Sequence, residues 1–272
     1  MIADYHVHTS MCGHASGTLD EMVEAAIARG LDEVGIADHM PLYYFEDPDL
    51  AMAPDELPLY VERVLDLKER YRERITVRLG IEADYHPGTQ QLRAEILGQY
   101  QWDYVIGSVH ILGDWVFDDP RHLERYQDLD VDEFYVEYLR AVGDMAETGL
   151  YNTVGHADLA KKFDVRATID LEPHYREVLA RVRDAGMCYE VNTAGLRWPV
   201  KEMYPAPEFV RIASEMGVPV TLGSDAHSPS DVARDFDGAL AMIREAGYTS
   251  IAAFDGGKMR LEPLPEDQPP DR

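Results

Sequence analysis

The chain opens with Asp4-Tyr5-His6-Val7-His8-Thr9 and, toward its other end, reads Gly223-Ser224-Asp225-Ala226-His227. Each segment sets two metal-binding residue types one position apart. Residues i and i+2 of a β-strand share a face, so His6 and His8 can grip one ion, and so can Asp225 and His227. Between the pairs lie His14, His39, Glu82, His110 and His156, each beside an expected strand end. Seven imidazoles and two carboxylates exceed the needs of a single ion. Their chemistry suits zinc, manganese or iron rather than calcium or magnesium. A carboxylate such as Glu82 can bridge two ions about 3.5–4 Å apart, the arrangement of two-metal phosphatases. His86, His122 and His174 fall outside the pattern and receive no function. Cys12 sits between His8 and His14, but a small buried thiol is the commoner state.

Something must bring residues so far apart in the chain together. Short β-type runs are expected at Ile2–His6, Glu33–Ala37, Thr76–Glu82, Tyr104–Val109, Asn152–Gly155, Cys188–Asn192 and Val218–Gly223, with a last one at Thr249–Phe254. Helical periodicity alternates with them at Leu19–Arg29, Leu57–Arg74, Gln90–Gln99, Val131–Thr148, Glu172–Ala185, Pro207–Met216 and Ser230–Ala246. Strands alternating with helices imply a parallel sheet, and seven such units without a break favour an α/β barrel over an open sheet. Catalytic groups of such barrels collect at the carboxyl ends of the strands. His6 and His8 fall at the end of the first strand and His39 at the second. Glu82, His110 and His156 follow at the third, fourth and fifth, Asn192 at the sixth, and Asp225 and His227 after the seventh. No linker or repeat divides the chain, so residues 1–262 are expected to form one domain and 263–272, rich in proline and acid, a disordered tail. Tyr43–Pro58 is a long loop placed to cover the site or to serve as a surface connection.

The chain holds 272 residues, 51 acidic against 25 basic, for a formal charge of −26. Such a field repels phosphate backbones, and no local basic patch offsets it, which argues against a nucleic-acid partner. No apolar run approaches the length of a membrane span, no signal peptide is visible, and two cysteines make no disulfide framework. The expectation is a soluble cytoplasmic protein; its oligomeric state is left open.

Six separated motifs carry a family likeness: His6-Val-His-Thr-Ser-Met-Cys-Gly-His14, Ile36-Ala-Asp-His39, Gly80-Ile-Glu82-Ala-Asp84, Gly107-Ser-Val-His110, Gly155-His156-Ala-Asp-Leu159 and Gly223-Ser-Asp225-Ala-His227. Together they resemble the polymerase-and-histidinol-phosphatase (PHP) family over roughly residues 4 to 260. Cys12-Gly-His-Ala15, Gly113-Asp-Trp115 and Asn192-Thr-Ala-Gly-Leu-Arg197 bring the chain nearer to the stand-alone histidinol-phosphate phosphatases than to polymerase-attached members. The resemblance implies a distorted (β/α)7 barrel, TIM-barrel-like, with a site for three divalent transition-metal ions. His6, His8, Glu82 and Asp225 would hold the first, Glu82, His110 and His156 the second, and His14, His39 and His227 the third.

The same resemblance implies a small-molecule phosphate monoester, L-histidinol phosphate, as substrate. A metal-bridging hydroxide would attack phosphorus, with Glu82, Asp225 and His227 catalytic through the ions they hold. Arg197 is the foremost phosphate ligand, since guanidinium binds phosphate oxygens bidentately. Lys161 is the second, and its neighbour Lys162 can serve in its stead. Asp118, Asp119, Trp115 and Tyr43 lie in loops suited to an amine and an imidazole but are more readily structural. A PHP-type phosphoesterase or exonuclease acting on another ester or diester is the alternative.

Overall fold

The computed structural model describes residues 1–265 apart from 45, 46 and 48. Twelve strands are described: β1 (Ala3–Val7), β2 (Glu33–Ile36), β3 (Thr76–Leu79), β4 (Glu82–Asp84), β5 (Ile106–Ser108), β6 (Ile111–Leu112), β7 (Trp115–Val116), β8 (Thr153–Val154), β9 (Cys188–Asn192), β10 (Val220–Gly223), β11 (Ser250–Asp255) and β12 (Lys258–Pro263). One parallel sheet runs β1-β2-β3 and the other β10-β9-β8-β5-β4. Parallel bridges join the two sheets at Val7–Ala226 on one seam and His39–Glu82 on the other. The result is an α/β arrangement of the distorted TIM-barrel-like kind, and both seams are built by candidate ligand segments.

Helices α1 (Leu19–Ala28), α2 (Leu57–Tyr71), α3 (Gln90–Leu97), α4 (Val131–Ala146), α5 (Glu172–Asp184), α6 (Pro207–Glu215) and α7 (Phe236–Glu245) form between the strands. Local chemistry starts them. Thr18 and Glu21 make a reciprocal capping box on α1, and the Asp130 carboxylate accepts from the Glu133 N–H on α4. α4 buries Phe134, Tyr138, Leu139, Val142 and Met145 at helical spacing, each contributing about 1.5–3 kcal/mol.

Four expectations need correction. The run Thr76–Glu82 is two strands, because the chain changes neighbours along it: Thr76–Leu79 pairs with β2 and Glu82–Asp84 with β5. The seventh helix starts at Phe236 rather than Ser230, since Ala233 and Asp235 hold φ of 52° and 63°, outside helical geometry. The last strand does not join the parallel sheets; β11 pairs antiparallel with β12. Residues 263–265 of the expected tail pack against the domain. Pro263 pairs with Ser250, the Leu264 N–H donates to the Thr249 carbonyl, and Arg244 donates to the Pro265 carbonyl. The rest of that stretch, 266–272, lies outside the described residues. Among the described residues no helix is long and apolar enough to cross a membrane.

Candidate metal centre

The carboxyl ends of the strands surround a cavity of about 660 Å³, well within the size range of small-molecule sites. His6 lies in β1 and His8 one residue past it, and both are fully buried. His39 follows β2, Glu82 opens β4, and His110, His156, Asp225 and His227 follow β5, β8 and β10. His14 comes from the loop after a short 3-10 turn at Ser10–Cys12. All nine sequence-identified ligand candidates therefore converge on one end of the barrel. His156 and Asp225 do so at φ of 26° and 53°, left-handed backbone that non-glycine residues rarely adopt.

The contacts divide them into overlapping groups. His6, His8 and Asp225 place ligand atoms within 4.8 Å of one another, as do His39, Glu82 and His110, and His8, His39 and His227. Glu82 reaches in two directions. Its Oε1 meets His156 Nε2 at 3.0 Å, and its Oε2 meets His39 Nδ1 at 2.9 Å and His6 Nε2 at 3.4 Å. Here His39 leans to Glu82 and His110 as well as to His14 and His227, so the division implied by resemblance is not a clean partition. The Cys12 thiol donates to the Thr9 carbonyl at 3.1 Å while lying within reach of His14 and His227.

The donor set fits cations. His14 and His227 each donate Nδ1–H to a backbone carbonyl at 3.0 Å, of Cys12 and Asp225 respectively. That leaves their Nε2 atoms facing each other at 2.9 Å. Burial and the neighbouring His39 and His8 lower His14 to about 4, and burial and His8 hold His227 well below the imidazole range, so both are neutral. Two lone pairs pointed at each other are what a shared cation satisfies. His110 Nε2 and His156 Nε2 also lie 3.1 Å apart, both beside Glu82 Oε1. Deeper in, His6 Nε2, His8 Nε2 and Glu82 Oε2 are fully buried without a hydrogen-bond partner. Burial alone would raise the Glu82 carboxyl, but the neighbouring His39, His6 and His110 rings hold it well below its usual range. Burial likewise opposes Asp225, and His6 and His8 hold it down. Both stand as carboxylates, the form that ligates.

Sequence reasoning missed the groups that aim these rings. Both Glu190 oxygens lie 2.9 Å from His6 Nδ1, and Oε1 also accepts from the His156 N–H at 3.0 Å and from Asn192 at 2.7 Å. Asp84 takes His110 Nδ1 at 3.0 Å, and Asp38 takes His8 Nδ1 at a longer 3.4 Å. Such outer carboxylates fix which nitrogen faces the ion and raise its basicity. The signal available was period two, since Asp84 shares a face with Glu82 and Glu190 with Asn192.

Arg197 lines the cavity from a 3-10 turn after β9. Its Nη2 donates to the Ser224 and Asp225 carbonyls at 2.7 and 3.1 Å, leaving Nη1 buried and unpartnered. Lys161 is placed otherwise than expected. Its ammonium bonds Asp158 at 2.9 Å and the Met203 carbonyl at 2.8 Å, and it is not among the residues lining the cavity. Lys162 lines it instead, 3.0 Å from Asp118 and 4.0 Å above the Trp198 ring. Adjacent residues of a 3-10 turn point about 120° apart, so only one of the two can face inward. Of the loop residues, Asp118 and Asp119 line the cavity, Trp115 packs among Phe117, Tyr126 and Phe134, and Tyr43 does not line it. Asp49, Leu50 and Ala51 place part of the Tyr43–Pro58 loop against the cavity.

Parallel strands that gather imidazoles and carboxylates over one cavity make this an α/β protein with several groups of side chains able to hold a metal ion. Comparison with known proteins gives the particular kind. The chain belongs to the PHP domain family, whose model matches residues 4–194. It is 42% identical to a probable histidinol-phosphatase of Deinococcus radiodurans across 92% of this chain and 95% of that protein. It is 29% identical to the histidinol-phosphatase of Bacillus subtilis across 87% of this chain and 97% of that one. Among solved structures it is similar to histidinol phosphate phosphatase from Lactococcus lactis, complexed with zinc, L-histidinol and phosphate. That likeness has a TM-score of 0.81 and 25% identity over 95% of this chain and 98% of that one.

Proposed function

We propose that this protein is a metal-dependent phosphomonoesterase that hydrolyses L-histidinol phosphate to L-histidinol and phosphate. The observation that carries the reading is one cavity lined by seven of the nine candidate ligands, with His6 and His8 buried behind them, and by an arginine whose buried Nη1 has no hydrogen-bond partner. Its relatives' names supply the substrate: the chain aligns nearly end to end with proteins named histidinol-phosphatase. His6, His8, Glu82 and Asp225 would hold one divalent ion, Glu82, His110 and His156 a second, and His14, His39 and His227 a third. Such ions supply an activated water near neutral pH and offset the charge of the phosphoryl group. Arg197, fixed by two backbone carbonyls, presents Nη1 to phosphate, and Lys162 takes the part expected of Lys161. Glu82 spreads its two oxygens over two ligand groups and so fixes their separation. We also propose that residues 1–262 form one domain.

A phosphodiesterase or exonuclease reading is less well supported. The cavity wall carries Asp49, Asp84, Asp118, Asp119 and Asp231, which suit an amine better than a polyanion. The test is phosphate release by the metal-reconstituted protein from L-histidinol phosphate, p-nitrophenyl phosphate, a nucleoside monophosphate and an oligonucleotide. The expected preference in kcat/KM for histidinol phosphate is at least ~100-fold, or ~2.7 kcal/mol. Equal or greater activity on the others would discard the substrate.

A further inference from the structure

Among the described residues, four side chains both line the cavity and carry a buried polar atom with no hydrogen-bond partner: Glu82, His156, Arg197 and Tyr204. The first two belong to the candidate metal centre and the third faces phosphate. Tyr204 has no part in that scheme. A buried phenol with its hydroxyl unpaired is less favourable than phenylalanine would be, unless something arrives to pair it.

Its position is closely fixed. The Tyr204 carbonyl accepts from the Asn192 N–H at 2.6 Å and its own N–H donates to the Asn192 carbonyl at 2.9 Å, which ties it to the carboxyl end of β9. The ring centroid stands 6.4 Å from that of His156, and the Lys161 ammonium lies over the same ring, 5.6 Å from its centroid. The other cavity-facing groups nearby are committed: Asp118 is paired with Lys162, and Asp225 is a carboxylate within the metal centre.

We propose that Tyr204 donates the proton to the ester oxygen of the departing alcohol, an inference that rests on the phosphomonoesterase reading above. As the P–O ester bond breaks, its electron pair stays on the alcohol oxygen. The Tyr204 O–H bond breaks and a new O–H bond forms, releasing neutral alcohol. The water consumed in the reaction forms the new P–O bond, and one of its protons restores the phenol. An aliphatic alkoxide needs this proton, whereas p-nitrophenolate departs without one.

The experiment compares wild type and Tyr204→Phe, which keeps the ring and removes only the hydroxyl, on L-histidinol phosphate and p-nitrophenyl phosphate. The expected result is a loss on the order of 10²-fold in kcat/KM for the alkyl ester, with the aryl ester within about threefold of wild type. Equal losses on both esters, or no loss on either, would overturn the assignment. Should the variant fail to fold, a series of alkyl and aryl phosphates on wild type decides the matter. A shallow dependence on leaving-group pKa supports a donor at that oxygen, and a steep one overturns it. If histidinol phosphate proves not to be preferred, the substrate reading falls, while the alkyl–aryl split on any accepted alkyl ester still decides the role of Tyr204.

Discussion

Glu190→Gln isolates the outer carboxylate from the ions it is inferred to serve. Glu190 is fully buried, touches no cavity wall, and holds His6 Nδ1 with both oxygens at 2.9 Å while also accepting from the His156 N–H and Asn192. Glutamine keeps the volume and one acceptor oxygen, so the His156 and Asn192 contacts can persist. What it loses is the negative charge that makes His6 a strong donor to a cation through Nε2. Removing such a partner typically weakens metal binding 10- to 100-fold, about 1.4–2.7 kcal/mol. The assay is competition with a graded chelator, with bound metal counted by elemental analysis and kcat/KM measured at saturating metal. Metal retention should weaken by that factor and activity should return largely at high metal. Unchanged metal affinity with activity lost would refute the reasoning, since Glu190 would then act on substrate or fold rather than through His6 and His156.

The two lysines should separate cleanly. Lys162→Met is expected to lower kcat/KM about 10²-fold, whereas Lys161→Met should leave kcat/KM near wild type and lower stability by about 3–5 kcal/mol, because Asp158 is left buried and unpaired. The reverse pattern would restore Lys161 to the phosphate. Chelation should abolish activity and lower Tm together, since an ion present at ~1,000 times its Kd adds about 4 kcal/mol; an unchanged Tm would refute a bound centre. Acid stability should depend on Glu33, which accepts from Arg78 at 3.0 Å on both oxygens and from Tyr5 at 2.7 Å. Burial opposes its ionisation, but Arg78 and Arg260 hold it below the usual value. A depressed folded-state pKa means the contribution is present above the unfolded value of about 4.3 and lost as pH falls below it. Glu33→Gln should therefore be less stable at pH 7 and show a shallower fall in Tm below that pH; parallel curves would exclude the linkage.

How much of this was legible in the sequence follows from range. The nine ligand candidates were found because their residue types are rare at strand ends and their spacing matches the strand period. Glu190 was not, because its partner His6 is 184 residues away and a lone acid in an apolar strand names no partner. Lys161 was chosen over Lys162 because a strand-end motif gives position along the chain but not rotation about a 3-10 turn. The split near Gly80 comes from a switch of partner, β2 before it and β5 after it, a tertiary arrangement with no local sign. β12 is different, since Gly256-Gly257, with φ of 54° and 77°, was a readable hairpin signal set inside a segment too charged to look like a strand.

The charges around the cavity explain why metal and fold belong to one equilibrium. Glu82, Asp225, Glu190, Asp38, Asp84 and Asp118 are buried or line the cavity, and the fixed cations among the lining residues are Lys162, Arg197 and Arg121, the last paired with Asp119 and Asp47. Carboxylates so crowded would normally protonate. Instead they draw charge onto the rings: against the effect of burial, Glu190 and Glu82 hold His6 well above the imidazole range, and Asp84 and Glu82 raise His110 to about 10. Divalent ions neutralise the same carboxylates while displacing those protons, so binding is coupled to proton release and to stability. The left-handed backbone at His156 and Asp225 fits the same account. The His156 N–H is pinned by Glu190 and the Asp225 carbonyl by Arg197, so the groups that hold the strained ligands in place are the ones that tune or serve the centre.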